Sequence, residues 1–169
     1  MRESSDRIRV KNLGLLICFM IEEVNFESPA YSEGETQRYS FDGEKLSVIA
    51  FFPGAFTSVC TEEMCELRDS MAEFEEMDVE VVGISVDTPF ALKEFAKKNN
   101  LNFTLVSDTG LEIAENYGVI TEIPGLELPV CDRSVFLIKD GEVVYEQRIE
   151  DPSNLPDIEK IKEEIRSIK

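Results

Sequence analysis

The amino-acid sequence predicts an α/β fold, in which a central mixed β-sheet is flanked by helices. Two continuous apolar runs, LSVIAFF at residues 46–52 and VEVVGISV at residues 79–86, are typical of strands buried on both faces of such a sheet. Helical patterns of apolar residues lie between and after these runs. The chain has 169 residues, 43% of them hydrophobic, which is enough for one sizeable core. We therefore expect a single domain over residues 22–169, after an N-terminal extension over residues 1–21.

A helix is predicted between the two apolar runs. Its apolar positions recur at intervals of three and four residues, at Met64, Leu67, Met71 and Phe74. Counting back four residues from Met64 places Cys60 on the same inward stripe. We therefore expect one helix that begins near Cys60, with this cysteine in the first turn and facing the protein interior.

The next elements begin at capping residues. Asp87-Thr88-Pro89 offers a capping side chain followed by proline at a first helical position, which predicts a helix through about Asn99. A short strand is expected at residues 103–106. A short helix follows it, from Asp108-Thr109 to about Tyr117.

The last third of the chain is predicted to form a loop, a hairpin and a helix. Pro124-Gly125 and Pro129 indicate a loop before a strand at residues 134–138, and Asp140-Gly141 a turn into a strand at 143–148. One face of the closing amphipathic helix carries four isoleucines: Ile158, Ile161, Ile165 and Ile168. This order, βαβα followed by a ββ hairpin and a helix, is that of the thioredoxin-like α/β fold with an inserted strand-helix unit.

The N-terminal extension has the charge order and length of the first two regions of a signal peptide. Basic residues precede the apolar run LGLLICFMI at residues 13–21, but no small-x-small cleavage site follows. This run is too short to span a bilayer, so we expect a cytoplasmic protein in which Cys18 is a small buried hydrophobic residue. Met20 is an alternative start, which would leave residues 1–19 outside the native protein.

Composition excludes several classes of function. Thirty-five acidic residues against seventeen basic ones give a net charge of −18, which opposes binding to nucleic acids and anionic membranes. The chain has no histidine, which excludes Ser-His-Asp and Cys-His catalysis. Its four cysteines suit a reducing compartment and are the first candidates for chemistry. Because Cys60 and Cys65 lack a second close pair, we expect no metal site, and we expect no cofactor.

The candidate chemistry concentrates in PGAFTSVCTEEMC at residues 53–65. A strand ends just before this segment and a helix begins near Cys60, so the sulfur lies where unpaired backbone N–H groups converge and favour a thiolate. The backbone amides of Val59 and Cys60, with the Thr57 hydroxyl, could bind the developing oxyanion of a substrate. The carboxylates of Glu62 and Glu63 would oppose a nearby thiolate, so we expect them to point away from the sulfur.

The spacing of Pro53, Thr57 and Cys60 after an apolar strand, with Arg133 opening the segment RSVFLI, resembles the active-site signature of the peroxiredoxins, which are thiol-dependent peroxidases. The resemblance extends to SVDTPFALKEFAKKNNLNFTLVSD, GEVVY and EDPSNLPD, and so to nearly everything after about residue 22. It is strongest to the subgroup of bacterioferritin-comigratory proteins, also called peroxiredoxin Q.

The resemblance implies a role for each of these residues. Cys60 would be the peroxidatic nucleophile, which attacks the terminal peroxide oxygen and becomes a sulfenic acid. Thr57 would hydrogen-bond the thiolate and the peroxide, Arg133 would keep the thiolate charged and polarise the O–O bond, and Pro53 would shield the site from water.

The resemblance also implies partners. The substrate would be hydrogen peroxide or an organic hydroperoxide, and the reductant a thioredoxin- or glutaredoxin-like protein. The protein would be a monomer or a homodimer that packs near the active-site loop.

The resolving thiol stays open between Cys65 and Cys131, and a one-cysteine mechanism is a third alternative. Five residues along an α-helix separate Cα atoms by roughly 8.6 Å, whereas a disulfide needs less than about 7 Å. A Cys60–Cys65 disulfide therefore requires the helix to unwind, as its relatives with this spacing do. Cys131 lies two residues before Arg133, and if one strand contains both, their side chains share a face and Cys131 could approach Cys60.

Rival functions fit these residues less well. A thioredoxin-type disulfide oxidoreductase would share the fold, but the chain contains no C-x-x-C motif. A protein without catalytic activity, such as an acidic interaction protein or holdase on this fold, is the remaining alternative. Peroxide turnover that is lost on replacing Cys60 distinguishes a peroxidase from a holdase.

Overall fold

The structure, a computed structural model, describes residues 21–169. The predictions for residues 1–20, including those for Cys18 and Met20, lie outside the described residues. In chain order the elements are β1 (Phe26–Ser32), β2 (Glu35–Phe41), β3 (Ser47–Phe51), α1 (Ser58–Asp69), α2 (Met71–Glu76), β4 (Glu80–Ser85), α3 (Pro89–Asn99), β5 (Thr104–Ser107), α4 (Glu112–Tyr117), β6 (Ile120–Ile123), β7 (Leu128–Cys131), β8 (Ser134–Lys139), β9 (Glu142–Arg148) and α5 (Ile158–Ile168).

The central sheet is mixed, as predicted. Its strand order is β2-β1-β5-β4-β3-β8-β9, with β3, β4 and β5 parallel and the outer strands antiparallel to their neighbours. The β1–β2 hairpin was not predicted from the sequence. Its strands are mostly exposed or half-buried, so they lack the continuous apolar run that identifies a strand buried on both faces.

The sheet separates two core clusters because successive side chains of a strand point to opposite faces. Val48, Ala50 and Phe52 belong to the cluster that also contains Cys60 and the buried residues of α1, α2, α3 and α5. Ile49 and Phe51 belong to the other cluster, with the buried residues of α4. Each face of the sheet thus has its own core.

Helix α1 packs closely on the sheet because β4 contains a glycine at its centre. A Cβ atom at Gly83 would lie 2.8 Å from a methyl carbon of Leu105 and 3.2 Å from the sulfur of Met64. The missing side chain therefore leaves room for the buried stripe of α1. This packing holds the first turn of α1, where Cys60 lies, against the end of the sheet.

The single helix predicted through Phe74 is wrong in one respect: the structure has two helices that meet at Ser70. The Ser70 backbone N–H donates to the carbonyl oxygens of both Glu66 and Leu67. The apolar stripe itself is confirmed, since its members are buried. An interval of three or four residues continues across such a break, so the hydrophobic pattern does not reveal it.

The loop predicted before β8 is also wrong in part. Residues 120–123 and 128–131 form the two-stranded sheet β6–β7, and only the turn around Pro124-Gly125 is irregular. Pro129 lies inside β7, opposite Glu122. A two-stranded sheet has only edge strands, where proline is tolerated, so its presence did not exclude a strand. Among residues 21–169, no helix is long and apolar enough to cross a membrane.

Candidate active site

The active-site loop, residues 53–57, connects β3 to α1 and ends at the N-cap of that helix. Thr57 has an extended backbone at the N-cap, and Cys60 is the third residue of α1 and is 2% exposed. The Thr57 hydroxyl donates to the carbonyl oxygen of Gly54 at 2.9 Å and makes no capping bond to the helix. The backbone N–H groups in the first turn of α1, including those of Val59 and Cys60, are therefore not capped by this side chain.

Arg133 contacts the Cys60 sulfur directly. It lies between β7 and β8 and is 3% exposed. Its Nη2 donates to Cys60 Sγ at 3.1 Å, although the two residues are 73 positions apart. The antiparallel register of β3 and β8 pairs Phe51 with Ser134, which brings Arg133 to the end of the sheet where the active-site loop begins. A buried cation at this distance favours the thiolate.

The other two nitrogen atoms of the Arg133 guanidinium also donate hydrogen bonds. Its Nε donates to Glu63 Oε2 at 3.0 Å, and its Nη1 donates to the carbonyl oxygen of Pro152 at 2.9 Å. Pro152 belongs to the connection between β9 and α5. The guanidinium is therefore held by two parts of the chain, α1 and the connection between β9 and α5, which sets the direction of the N–H group that points at the sulfur.

Glu63 is the site residue that the sequence reasoning missed. The expectation that its carboxyl group points away from the sulfur is wrong: the side chain is fully buried and accepts from the same guanidinium that contacts the sulfur, whereas Glu62 is exposed. The signal was available in the helical spacing, because residues three apart lie on one face, and Cys60 faces inward. Arg133 contacts both Glu63 and the Cys60 sulfur, so its positive charge offsets the repulsion that the two groups alone would have.

Burial controls the protonation of this pair. Burial raises the pKa of Glu63 to about 8, although the charge and hydrogen bond of Arg133 act to lower it. Burial also acts to lower the pKa of Arg133, but Glu63 and Cys60 raise that pKa above its ordinary value, so the guanidinium stays charged. The Oε1 atom of Glu63 has no hydrogen-bond partner among residues 21–169. One buried cation therefore faces two groups that can each become an anion.

The remaining predicted residues lie around this centre. Pro53 and Val59 are half-buried, and Thr57 is exposed at the rim. Cys65 is half-buried further along α1, and Cys60 and Cys65 are both free thiols on an intact helix.

Cys131 lies elsewhere. The condition for a face shared with Arg133, that one strand contains both residues, is not met, because β7 ends at Cys131 in the two-stranded sheet and β8 begins at Ser134 in the central sheet. Cys131 is fully buried in the second core cluster, on the opposite face of the sheet from Cys60. Burial raises the pKa of the Cys131 thiol well above its ordinary range, and Asp108 and Asp87 add to the shift. This environment disfavours a reactive thiolate.

Comparison with known proteins agrees with this geometry. The model of the AhpC/TSA family matches residues 22–147. Peroxiredoxin Bcp of Escherichia coli (strain K12) is 39% identical over 123 residues, which cover 71% of this chain and 78% of that protein. The chloroplastic peroxiredoxin Q of Populus jackii is 37% identical over 129 residues, covering 73% of this chain and 61% of that protein.

Solved structures confirm the thioredoxin-like fold. The crystal structure of peroxidoxin BcpB from Mycobacterium tuberculosis matches with a TM-score of 0.70 at 29% identity, covering 86% of this chain and 94% of that one. Enterococcus faecalis AhpC shares the fold with a TM-score of 0.76 at 24% identity, over 85% of this chain and 87% of that one. The chain belongs to the AhpC/TSA family and is a peroxiredoxin, a thiol-dependent peroxidase.

Proposed function

We propose that Cys60 is the peroxidatic nucleophile of this enzyme. Its thiolate attacks the terminal oxygen of a hydroperoxide, an S–O bond forms, the O–O bond breaks, and the leaving alkoxide or hydroxide takes up a proton. Sulfur is oxidised to a sulfenic acid as the peroxide is reduced to an alcohol or water. The observation that carries the proposal is the buried 3.1 Å contact from Arg133 Nη2 to Cys60 Sγ. This hydrogen bond stabilises the thiolate before the reaction, and the same cation stabilises the charge that develops on the oxygens.

The active-site loop supplies the other contacts to the peroxide. Because the Thr57 hydroxyl donates to the Gly54 carbonyl, its oxygen is oriented to accept the O–H of the substrate. The backbone N–H groups of Val59 and Cys60 donate to the peroxide oxygens as charge accumulates. Pro53 lines the loop and excludes water from the sulfur.

Glu63 acts through Arg133 and is a positioning residue. Its carboxyl group accepts the Nε–H of Arg133, so the Nη2–H group points at sulfur. A guanidinium held by Glu63 at Nε and by the Pro152 carbonyl at Nη1 loses less orientational freedom at the transition state than a free one.

Cys65 resolves the sulfenic acid within the same chain. Its thiolate attacks the Cys60 sulfur, an S–S bond forms, and the hydroxyl leaves as water after protonation. Both cysteines lie in α1, so the first turns of this helix unwind before the bond forms. A thioredoxin- or glutaredoxin-like dithiol then reduces the disulfide. Cys131 is the weaker alternative, because the sheet lies between its cluster and that of Cys60.

Cysteine variants test these roles. Wild type, Cys60→Ser, Cys65→Ser and Cys131→Ser are mixed with peroxide in a stopped-flow instrument, and their products are mapped by peptide mass spectrometry. We expect no reaction for Cys60→Ser, an unresolved sulfenic acid for Cys65→Ser, and a wild-type pattern for Cys131→Ser. A stable Cys60 sulfenic acid with Cys65 still free in wild type would show a one-cysteine enzyme instead.

The wider setting of the reaction follows from the same proposal. The catalytic domain comprises residues 22–169, works in the cytoplasm as a monomer or a homodimer, and accepts hydrogen peroxide or organic hydroperoxides. Sedimentation of the reduced and the disulfide forms measures the oligomeric state in each step. The holdase alternative is not favoured, because a holdase has no need of a buried arginine on a cysteine sulfur. It predicts suppression of aggregation that survives Cys60→Ser.

A further inference from the structure

The active-site loop is held in a strained conformation. Phe56 has φ of +65°, in the left-handed region that bulky residues rarely adopt, and its side chain is 53% exposed. Such a backbone costs free energy and persists only where neighbouring contacts fix it. Phe56 directly precedes Thr57, the N-cap of α1. The contacts that hold Phe56 therefore also set the position of Thr57 and of the first turn that carries Cys60.

One of these contacts is made by the carboxylate of Asp87, which lies between β4 and α3. Asp87 Oδ2 accepts the backbone N–H of Ala55 at 2.7 Å, and it also accepts the Ser85 hydroxyl at 2.7 Å. Ser85 is the last residue of β4 and is fully buried. The carboxylate is thus anchored to the central sheet while it holds the middle of the active-site loop.

The second contact comes from the helix that follows Asp87. The Phe56 ring packs edge-on against Phe95, with centroids 5.3 Å apart, and Lys98 Nζ lies 5.8 Å from the Phe56 centroid. Both partners belong to α3. Asp87, between β4 and α3, therefore holds the loop by the Ala55 backbone, and α3 itself holds it by the Phe56 side chain.

We propose that Asp87 is a positioning residue of the peroxidase: its carboxylate fixes the active-site loop so that Thr57 and the first-turn amides of α1 are aligned with the Cys60 sulfur. Asp87 does not touch the sulfur. The inference rests on the proposed role of Cys60, and it assigns to the Ala55 hydrogen bond a function in the rate of peroxide reduction.

Two substitutions separate the hydrogen bonds of Asp87 from its charge. The amide oxygen of Asp87→Asn can still accept from both Ala55 and Ser85, whereas Asp87→Ala accepts from neither. If Asp87 acted only through its charge, both variants would react faster than wild type, because removing an anion near the site favours the Cys60 thiolate. Loss of the contact slows only Asp87→Ala.

The measurement is the second-order rate constant of Cys60 with hydrogen peroxide in a single turnover, with the sulfenic acid trapped to count active sites. We expect Asp87→Ala to lose about 10- to 100-fold in this rate constant, since a small misplacement of reacting groups has costs of that size. Asp87→Asn should stay within about 3-fold of wild type, because its hydrogen bonds persist. Hydrogen exchange of the Ala55 amide should be faster in Asp87→Ala alone.

Two further variants make the test specific. Thr88→Ala removes the side-chain cap of α3, which accepts the Ala91 N–H, without touching the loop, so it controls for a weakened β4–α3 corner. We expect it to lower the melting temperature but to keep the rate constant per active site. Ser85→Ala keeps the Asp87 carboxylate but removes the hydroxyl that anchors it. This variant should slow peroxide reduction, but less than Asp87→Ala does. It replaces Asp87→Ala in the test if that variant does not fold.

An Asp87→Ala protein that exchanges the Ala55 amide quickly yet reacts at the wild-type rate would overturn the proposal. An equal loss in Asp87→Ala and Asp87→Asn would overturn it too. A failure of the proposed function looks different, because wild type would then react no faster with peroxide than Cys60→Ser.

Discussion

At the scale of single residues, the site depends on one buried cation. Arg133 is 3% exposed and uses all three of its nitrogen atoms, on Glu63, Pro152 and Cys60. A charge taken out of water needs hydrogen-bond partners, and the Glu63 carboxyl group accepts one of the hydrogen bonds of the buried Arg133. Glu63, which was expected to oppose the Cys60 thiolate, therefore holds the arginine that contacts the sulfur.

Replacing the cation tests how much of the reaction depends on it. We expect Arg133→Met to lower the rate constant of Cys60 with hydrogen peroxide by roughly 100- to 1000-fold, the usual cost of losing a donor to a developing oxyanion. The rate constant of Arg133→Lys should lie between those of wild type and Arg133→Met, because lysine keeps the positive charge but cannot make all three hydrogen bonds. Stopped-flow kinetics checks both. Arg38→Met, at an exposed ion pair with Glu27, is the control and should react like wild type.

The protonation of Glu63 gives a pH dependence with a defined sign. Its folded pKa, about 8, lies above the ordinary 4.5. Between pH 4.5 and about pH 8 the folded state binds more protons than the unfolded state. The free energy of unfolding is therefore highest below pH 4.5 and falls as the pH rises to about 8, by at most about 1.4 kcal/mol per pH unit.

Urea unfolding across this pH range measures the effect. We expect wild type to lose stability relative to Glu63→Gln as the pH is raised from about 5 to about 8, because glutamine does not titrate. Glu62→Gln, at the exposed neighbour, should follow wild type throughout. Parallel curves for wild type and Glu63→Gln would mean that Glu63 is ionised in the folded protein.

At the scale of elements, α1 has to be stable enough to position the active-site residues, yet it has to unwind before a Cys60–Cys65 disulfide can form. Arg68 Nη1 donates to the carbonyl oxygen of Asn99 at 2.6 Å, which ties α1 to the end of α3. Beyond the break at Ser70, α2 is anchored to α5 by the pair Glu73–Lys162, at 2.7 Å. We therefore expect unwinding to begin in the first turns of α1 and to extend no further than Ser70.

Removing the tie between α1 and α3 should speed disulfide formation. An intramolecular hydrogen bond stabilises by about 1 kcal/mol, so Arg68→Ala should raise the rate of Cys60–Cys65 bond formation by roughly 3- to 10-fold. The same variant should show less over-oxidation of Cys60 at high peroxide, because the sulfenic acid is resolved sooner. Rapid quenching with an alkylating reagent, followed by intact-mass analysis, measures both.

The matched control lies in the helix that should not open. Lys162→Met removes the ion pair to Glu73 and should lower the melting temperature without changing the rate of disulfide formation. If Lys162→Met accelerates disulfide formation as much as Arg68→Ala does, the segment that unwinds includes α2 and does not end at Ser70.

At the scale of the whole molecule, the net charge of −18 acts on stability more than on chemistry. Self-repulsion destabilises a compact state and is screened by salt, so the melting temperature should rise by several degrees between about 20 mM and about 500 mM sodium chloride. Hydrogen peroxide is neutral, so its rate constant should change by less than about 2-fold over that range. Sucrose at equal osmolality controls for solute effects other than screening. A melting temperature independent of salt would contradict this account.

The sequence by itself determined the features that depend on neighbouring residues. Apolar periodicity and caps located the buried strands and the helices, with Thr88 and Pro89 at the start of α3 as predicted. The same local patterns placed Cys60 on the inner face of the first turn of its helix. They did not identify the β1–β2 hairpin or the break at Ser70, because exposed strands and small changes of helix direction leave the hydrophobic pattern unchanged.

Only the tertiary structure decided which of these residues meet. The contact between Cys60 and Arg133 depends on the pairing of β3 with β8, which joins residues 73 positions apart. The environment of Glu63 depends on that same arginine, and the separation of Cys131 from Cys60 depends on the assembly of the sheet, which places them in core clusters on opposite faces. Strand register and turn direction result from the packing of the whole sheet, so no local pattern encodes them.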